Sequence, residues 1–188
     1  MLKLVVIVIG AVVGLGLGVF LVGLALPRNH VATAEAVVAA SPDRVAALVR
    51  EVEDQPRWRS GVKDVEIVSR GAEGLRYRER SDDVIAYLFR EERPGRVFRS
   101  TITDEALPFG GTWTISLEQS GAGTRVAIRE DGEVRNPVFR FMAKFVFGHE
   151  RTMRAYLADL KQAAEVQAIP RRTSGPDRRG RAYGRTRG

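Results

Sequence analysis

The sequence contains no cysteine and only two histidines, His30 and His149. The first absence excludes disulfides, thiolate nucleophiles and cysteine-ligated metals. His149-Glu150 begins like a zinc-protease motif, but Met153 stands where the second histidine is required, so we expect no metal site. No serine and aspartate are spaced with a histidine as in a catalytic triad. The sequence therefore indicates no metal and no cofactor.

Positive charge is scarce where a nucleic-acid-binding surface would need it. The formal net charge of +7 comes from the two ends, since residues 1–34 carry +2, residues 166–188 carry +6 and the remainder carries −1. A basic face is the electrostatic footprint of proteins that bind nucleic acids. We therefore expect no nucleic-acid partner.

Charge is absent altogether from Leu4 to Leu26, a run of 23 apolar or glycine residues. As a helix, this run reaches about 34 Å and can cross a hydrocarbon core of about 30 Å. Ala32-Thr33-Ala34 resembles a signal-peptide cleavage site, but the apolar part of a signal peptide has only about 7–15 residues. The sequence predicts an uncleaved, single-pass membrane anchor over residues 1–30. Its orientation stays open, because Lys3 and the amino terminus balance Arg28 and Arg44 across the span.

Two further features concern partners. One face of the predicted span carries Gly10, Gly14 and Gly18. This pattern indicates either a homodimer that pairs through these glycines or only the general abundance of glycine in membrane helices. Residues 168–188 are rich in arginine and glycine and predict a disordered tail. This tail either contacts anionic lipid, if it is cytoplasmic, or is a solvated extension without a partner.

The intervening residues 31–167 predict one α+β domain. Val31–Ala39 alternates as a first strand, and Ser41-Pro42-Asp43 caps a helix that ends before Pro56. Six strands joined by short turns then predict an antiparallel sheet. These strands are Val62–Ser69, Leu75–Ser81, Val84–Glu91, Arg96–Thr103, Thr112–Glu118 and Thr124–Arg135, with a bulge expected at Asp131-Gly132.

A closing helix follows the last strand. Asn136-Pro137 is a second cap-and-proline signal, and Met153, Tyr156 and Leu160 continue the helical period. Gly148 lies between an aromatic-rich first half and this second half. A glycine there predicts a slight bend or a close approach.

With these residues in place, the chain resembles the helix-grip superfamily of START, Bet v 1-like and polyketide cyclase/dehydrase-like proteins. The resemblance covers about residues 31 to 165. It rests on Ala40-Ser41-Pro42-Asp43-Arg44-Val45, Trp58, Gly111-Thr112-Trp113-Thr114-Ile115, Gly123-Thr124-Arg125-Val126 and Leu157-Ala158-Asp159-Leu160-Lys161. A further short helix is usual before the second strand, and Gln55 to Gly61 leaves room for one turn at most.

The resemblance implies a curved sheet of about seven strands around a long C-terminal helix, with a mostly apolar cavity between them. Alternation along the strands identifies the side chains that point into this cavity. The aromatic-rich first half of the closing helix contributes two further side chains. The expected ligand-binding residues are Trp58, Leu75, Tyr77, Glu79, Tyr87, Phe89, Trp113, Ile115, Phe141 and Phe145.

Glu79 is the candidate catalytic residue. Glu130 also falls on an inward-facing position of its strand. A carboxylate in an apolar cavity could act as a general acid or base, whereas one near a strand end is more often paired with an arginine. We therefore expect a membrane-anchored protein that binds a hydrophobic or amphipathic small molecule, including lipid. The alternatives are a cyclase or dehydrase that uses Glu79 with Tyr77 or Tyr87, and a membrane assembly protein without a ligand.

Overall fold

A computed structural model describes residues 1–148 and 150–166, so His149 and the predicted tail lie outside the described residues. Helix α1, Leu2–Ala25, is long and apolar enough to cross a membrane. Its glycines at positions 10, 14 and 18 are exposed, and a side chain added at any of them would meet no other atom. Pairing of two copies through this face stays a prediction.

The sheet has seven antiparallel strands in the order β1-β7-β6-β5-β4-β3-β2. Every neighbouring pair except β1 and β7 is consecutive in the chain, as the short predicted turns require. The strands are β1 Asn29–Val38, β2 Asp64–Gly71, β3 Gly74–Arg80, β4 Val84–Arg93, β5 Val97–Ile102, β6 Phe109–Ser120 and β7 Gly123–Val134.

Register is regular at the predicted bulge and irregular elsewhere. β7 pairs without a shift through Asp131-Gly132 on both sides, so the bulge expected there is wrong. Register shifts occur instead at Val68 in β2 and at Glu92 in β4. Gly111, at φ +145°, faces Gly132, and a Cβ on Gly111 would come within 2.7 Å of a backbone oxygen. Glycine is required at this crossing because two backbones approach there.

The connection from β1 to β2 carries helix α2, Pro42–Arg50, and a 3₁₀ helix, Val52–Arg57. The Ser41 side chain accepts a hydrogen bond from the Arg44 amide at 3.4 Å, as the cap signal predicts. The 3₁₀ helix starts before Gln55 and has six residues. The single turn expected between Gln55 and Gly61 was therefore too short, because the segment begins to coil directly after α2.

The long closing helix is confirmed as α4, Arg151–Val166. The aromatic segment before it forms a separate short helix, α3, Pro137–Met142, followed by a π turn, Ala143–Phe147. Gly148 ends that turn at φ +73° and ψ +149°, which only glycine adopts readily. The chain therefore breaks at Gly148 instead of bending slightly.

Helices α2 and α4 pack against one side of the sheet, called here the inner face. The side chains between them exclude solvent completely, since Val45, Phe98, Met153 and Leu160 are each 0% exposed. The predicted alternation holds on this face, with Tyr77, Glu79, Ile115 and Leu117 buried and the residues between them more exposed. The result is an α+β helix-grip domain with an apolar helix at its N-terminus.

Candidate ligand site

Register places the predicted Tyr77, Tyr87 and Phe89, together with Phe98 of β5, in two stacked pairs on the inner face. Tyr77 lies opposite Tyr87 and Leu75 lies opposite Phe89. The Tyr77 and Tyr87 rings stack with centroids 5.2 Å apart, and Phe89 stacks on Phe98 at 5.9 Å. Tyr87 and Phe89 of β4 therefore face inward, as expected.

Tyr156 joins α4 to this stack. Its ring meets Trp58 and Trp113 edge to face, with centroids 5.4 Å and 5.8 Å away. Edge-to-face pairs of this kind add stabilisation beyond the apolar area they bury. Trp58 follows the 3₁₀ helix and Trp113 lies on β6, so one tyrosine of the closing helix ties two distant segments together.

An ion pair lies beside the aromatic stack. The Arg59 guanidinium donates to both carboxylate oxygens of Glu79, at 2.5 Å and 3.3 Å, and to the Gln55 side-chain oxygen at 2.6 Å. It also lies over the Tyr156 ring, 5.2 Å from the centroid. Glu79 is thus paired with an arginine, the structural role that the sequence allowed for it.

Electrostatics keep the Arg59 guanidinium charged. Burial disfavours the guanidinium charge, but the charge and hydrogen bonds of Glu79 outweigh burial and raise the pKa of Arg59 above its ordinary value. The side chains of Arg59 and Glu79 are only 17% and 7% exposed. An ion pair that is so enclosed and fully hydrogen-bonded fixes the geometry of everything it touches.

Burial also raises the pKa of three tyrosines around the pair. The pKa of Tyr77 rises from 10.0 to about 12, and those of Tyr87 and Tyr156 rise as well. In each case removal of the hydroxyl proton would place an anion in an apolar surrounding.

These shifts predict a loss of stability in alkali. The unfolded chain releases the Tyr77 proton from pH 10.0 and the folded chain from about pH 12, so folding is disfavoured progressively across that window. The loss from Tyr77 alone should reach about 2 kcal/mol. Urea unfolding at increasing pH, followed by tryptophan fluorescence, should show it. Tyr77→Phe should flatten the decline, and an equally steep decline in that variant would contradict the assignment.

A cavity of about 450 Å³ opens next to the ion pair, between the segment that follows the 3₁₀ helix and the C-terminal half of α4. It is lined by Pro56, Arg57, Trp58, Arg59, Ser60, Val62, Asp159, Gln162, Ala163 and Val166. Ser60 closes one rim, because its amide and hydroxyl both donate to the Asp159 carboxylate, at 2.8 Å and 2.9 Å.

Trp58 lines this cavity and carries an unsatisfied polar group. Its indole Nε1 is buried and has no hydrogen-bond partner among the described residues. A buried donor without an acceptor is costly, and the cost is removed when an acceptor enters. A cavity that combines such a donor with apolar walls suits an amphipathic molecule that carries an oxygen.

The predicted site residues divide into three groups. Trp58 lines the cavity, whereas Tyr77, Glu79, Tyr87 and Trp113 do not, although Glu79 pairs with Arg59 of its wall. The cavity thus lies between α4 and the segment after the 3₁₀ helix, and not between the sheet and the closing helix as the resemblance implied. Leu75, Phe89 and Ile115 lie deeper, within or against the core. Phe141 and Phe145 contact each other at 4.9 Å in the segment before Gly148 and do not join that core. The break at Gly148 explains their separation from the rest.

Sequence reasoning missed Arg59, Asp159 and Ala163. Arg59 is one of many arginines in the chain, and nothing in its spacing distinguishes it. Asp159 and Ala163 lie four residues apart on α4 and so share a helical face, which was a usable signal. The sequence pattern of that face is typical of a solvent-exposed helix surface. Its role depends on the 3₁₀ helix and the segment after it, which pack nearby only in the folded domain.

Comparison with known proteins agrees with this architecture. Residues 29–165 match the family model described as polyketide cyclase / dehydrase and lipid transport. No curated protein sequence matches the chain. The matched segment contains the sheet, α2, α3 and α4, and leaves out α1.

Several solved structures share the fold. The START superfamily protein of Mycobacterium smegmatis has a TM-score of 0.60 and 17% identity, over 73% of this chain and 99% of that one. The Zhui aromatase/cyclase of Streptomyces sp. R1128 has a TM-score of 0.63 and 16% identity, over 76% and 97%. Norcoclaurine synthase of Thalictrum flavum has a TM-score of 0.60 and 13% identity, over 74% and 96%. At these identities the likeness establishes the fold alone.

Proposed function

The chain belongs to the polyketide cyclase/dehydrase and lipid transport family, and from that membership we propose that it binds an amphipathic small molecule, lipid included, in the cavity beside Trp58. We propose further that α1 anchors the domain in a membrane. The observation that carries the proposal is the cavity itself, lined by apolar and polar residues in about equal number and by Trp58, whose buried indole N–H has no partner among the described residues.

The size of the cavity supports a small-molecule ligand. Its volume of about 450 Å³ lies within the range of about 300–1,000 Å³ that small-molecule sites occupy. Val62, Ala163 and Val166 offer apolar walls to a hydrocarbon portion. An ether, hydroxyl, carbonyl or carboxylate oxygen on the ligand would accept from the Trp58 indole.

Binding is a better account of the site than catalysis. A cyclase acting through Glu79 would need a carboxylate that can exchange protons with a substrate. Glu79 instead accepts two hydrogen bonds from Arg59 and is 5% exposed. Burial raises the pKa of the tyrosines beside it, which makes their hydroxyls weaker acids than an exposed tyrosine. These groups are arranged to hold shape and not to transfer protons.

Membrane anchoring follows from α1 and its surroundings. All of α1 except Val19 and Gly23 is exposed, so the helix does not serve as part of the domain core. An exposed apolar helix of 24 residues is stable when lipid covers it. A domain held at a membrane surface would meet amphipathic molecules at high local concentration.

The ligand proposal predicts quenching of tryptophan by a bound brominated fatty acid. Bromine quenches indole fluorescence on contact, so a chain that enters the cavity should quench Trp58 saturably, and the unbrominated fatty acid should compete. The full chain, reconstituted in nanodiscs, is the sample. Ala163→Phe should weaken binding roughly tenfold, because the ring occupies the cavity.

Ala158→Phe provides the matched control, since Ala158 lies on the same helix, is exposed and does not line the cavity. It adds the same volume and should leave the titration unchanged. Absence of saturable quenching in the unmodified chain, for fatty acids of several lengths, would remove the proposal. Equal weakening in both variants would assign the effect to α4 stability.

A further inference from the structure

A second cavity lies at the opposite end of the domain, where α1 meets α3. We propose that it is a binding site for the phosphate headgroup of an anionic phospholipid. The proposal rests on the membrane anchoring proposed above and is independent of the ligand beside Trp58. This second cavity has a volume of about 300 Å³ and is lined by Leu26, Pro27, Arg28, Asn29, His30, Val134, Arg140 and Lys144.

The position of this cavity is fixed by close packing between α1 and α3. Gly23 is buried, and a Cβ placed on it would come within 2.0 Å of the Pro137 carbonyl oxygen. The two helices touch there without an intervening side chain. Because α1 ends at Ala25, the cavity begins one turn beyond this contact, at the level where a spanning helix leaves the hydrocarbon.

The charge of the lining selects the ligand. Among the described residues, Arg28, Arg140 and Lys144 contribute three cations to the lining, and no carboxylate belongs to it. Burial lowers the pKa of His30, so its imidazole is neutral at neutral pH. The nearby Glu130, whose Oε1 lies 3.5 Å from His30 Nε2, is not among the lining residues. The cavity therefore favours an anion.

Arg140 is a buried cation in the wall of this cavity. It is only 6% exposed, although it belongs to a short helix at the edge of the domain. Its guanidinium donates to the Leu26 carbonyl oxygen at 2.8 Å and to that of Arg135 at 3.4 Å. Its Nε is buried and has no partner among the described residues. An oxyanion in the cavity would supply the missing acceptor and offset the buried charge.

The surroundings suit a lipid better than a free phosphate. Val138, Phe139, Phe145 and Val146 on α3 and the π turn are all exposed, and α3 packs along the end of α1. Apolar side chains at the end of a spanning helix can rest among acyl chains while cations near them hold headgroups. A phospholipid satisfies both surfaces at once. Inorganic phosphate would satisfy only the cations.

Native mass spectrometry of the full chain can test this site. Protein purified from membranes that contain phosphatidylglycerol and phosphatidylcholine should retain phosphatidylglycerol preferentially. Lys144→Gln and Arg28→Gln should each weaken its retention about fivefold, because each removes one cation from the lining. Lys161→Gln removes the same charge from an exposed position on α4 and should change nothing.

Arg140→Gln should have a larger effect, but it also removes the bond to Leu26, so the two milder variants decide the outcome. Equal retention of the two lipids by the unmodified chain would overturn the site. So would equal losses in Lys144→Gln and Lys161→Gln, or displacement of the lipid by inorganic phosphate at equal concentration. Quenching by brominated fatty acid should persist in every variant. If quenching is absent while the preference for phosphatidylglycerol is intact, only the proposed ligand site beside Trp58 is contradicted.

Discussion

Replacing Arg59 with methionine should lower the free energy of unfolding by about 3 kcal/mol. The substitution leaves the Glu79 carboxylate buried, 5% exposed, without the guanidinium that satisfies both of its oxygens. It also removes the cation from the Tyr156 ring and the bond to Gln55. Removing one partner of an enclosed ion pair is among the most destabilising single changes because the other charge cannot reach water.

Urea unfolding of the detergent-solubilised full chain, followed by the fluorescence of Trp58 and Trp113, measures this effect. The double variant Arg59→Met with Glu79→Leu is the informative control. Two apolar side chains of similar volume should restore most of the stability, to within about 1 kcal/mol of the unmodified chain. A double variant as unstable as the single one would mean that the contacts of Arg59 with Gln55 and Tyr156 matter more than the charge pair.

Replacing Phe98 with alanine should cost about 3–5 kcal/mol. Phe98 is 0% exposed, stacks on Phe89 at 5.9 Å and lies beneath the Arg50 guanidinium at 5.9 Å. Removing the ring opens a cavity in the part of the core that α2 and the sheet share. The surrounding strands are held by their own hydrogen bonds and cannot collapse to fill it.

Phe139→Ala is the control for this change, since the same atoms are removed from a side chain that is 50% exposed. It should alter the free energy of unfolding by less than about 0.5 kcal/mol in detergent. The same urea titration serves both variants. A loss below about 1 kcal/mol for Phe98→Ala would show that this part of the core is loosely packed.

Local pattern predicts the sheet of this protein well, because alternation is a property of each strand by itself. Tyr77, Glu79, Ile115 and Leu117 face inward as their period requires, and the caps at Ser41 and Asn136 start helices where the sequence places them. Short turns fix the antiparallel order. Only the pairing of β1 with β7 joins distant parts of the chain, and it leaves β2 as the other edge of the sheet.

The features that sequence reasoning missed all depend on contacts between distant segments. The pattern from Pro137 onward fits one continuous helix, but the packing of α3 against α1 and the backbone of Gly148 divide it. Arg59 could not be chosen as the partner of Glu79, since the partner depends on where the 3₁₀ helix ends. The cavity beside Trp58 likewise exists only once α4 and the segment after that helix are placed together.

The connection between α1 and β1 has a mechanical consequence. Only Leu26, Pro27 and Arg28 separate the two elements, and Arg140 and Val134 donate to the carbonyl oxygens of Leu26 and Arg28. In a membrane, such a short and hydrogen-bonded connection would allow the domain to rotate about the bilayer normal. It would not allow the domain to move away from the membrane surface as a flexible linker would. A ligand of the kind proposed above would then be exchanged within the plane of one bilayer, and its transfer to a facing bilayer would require the two surfaces to approach within the height of the domain.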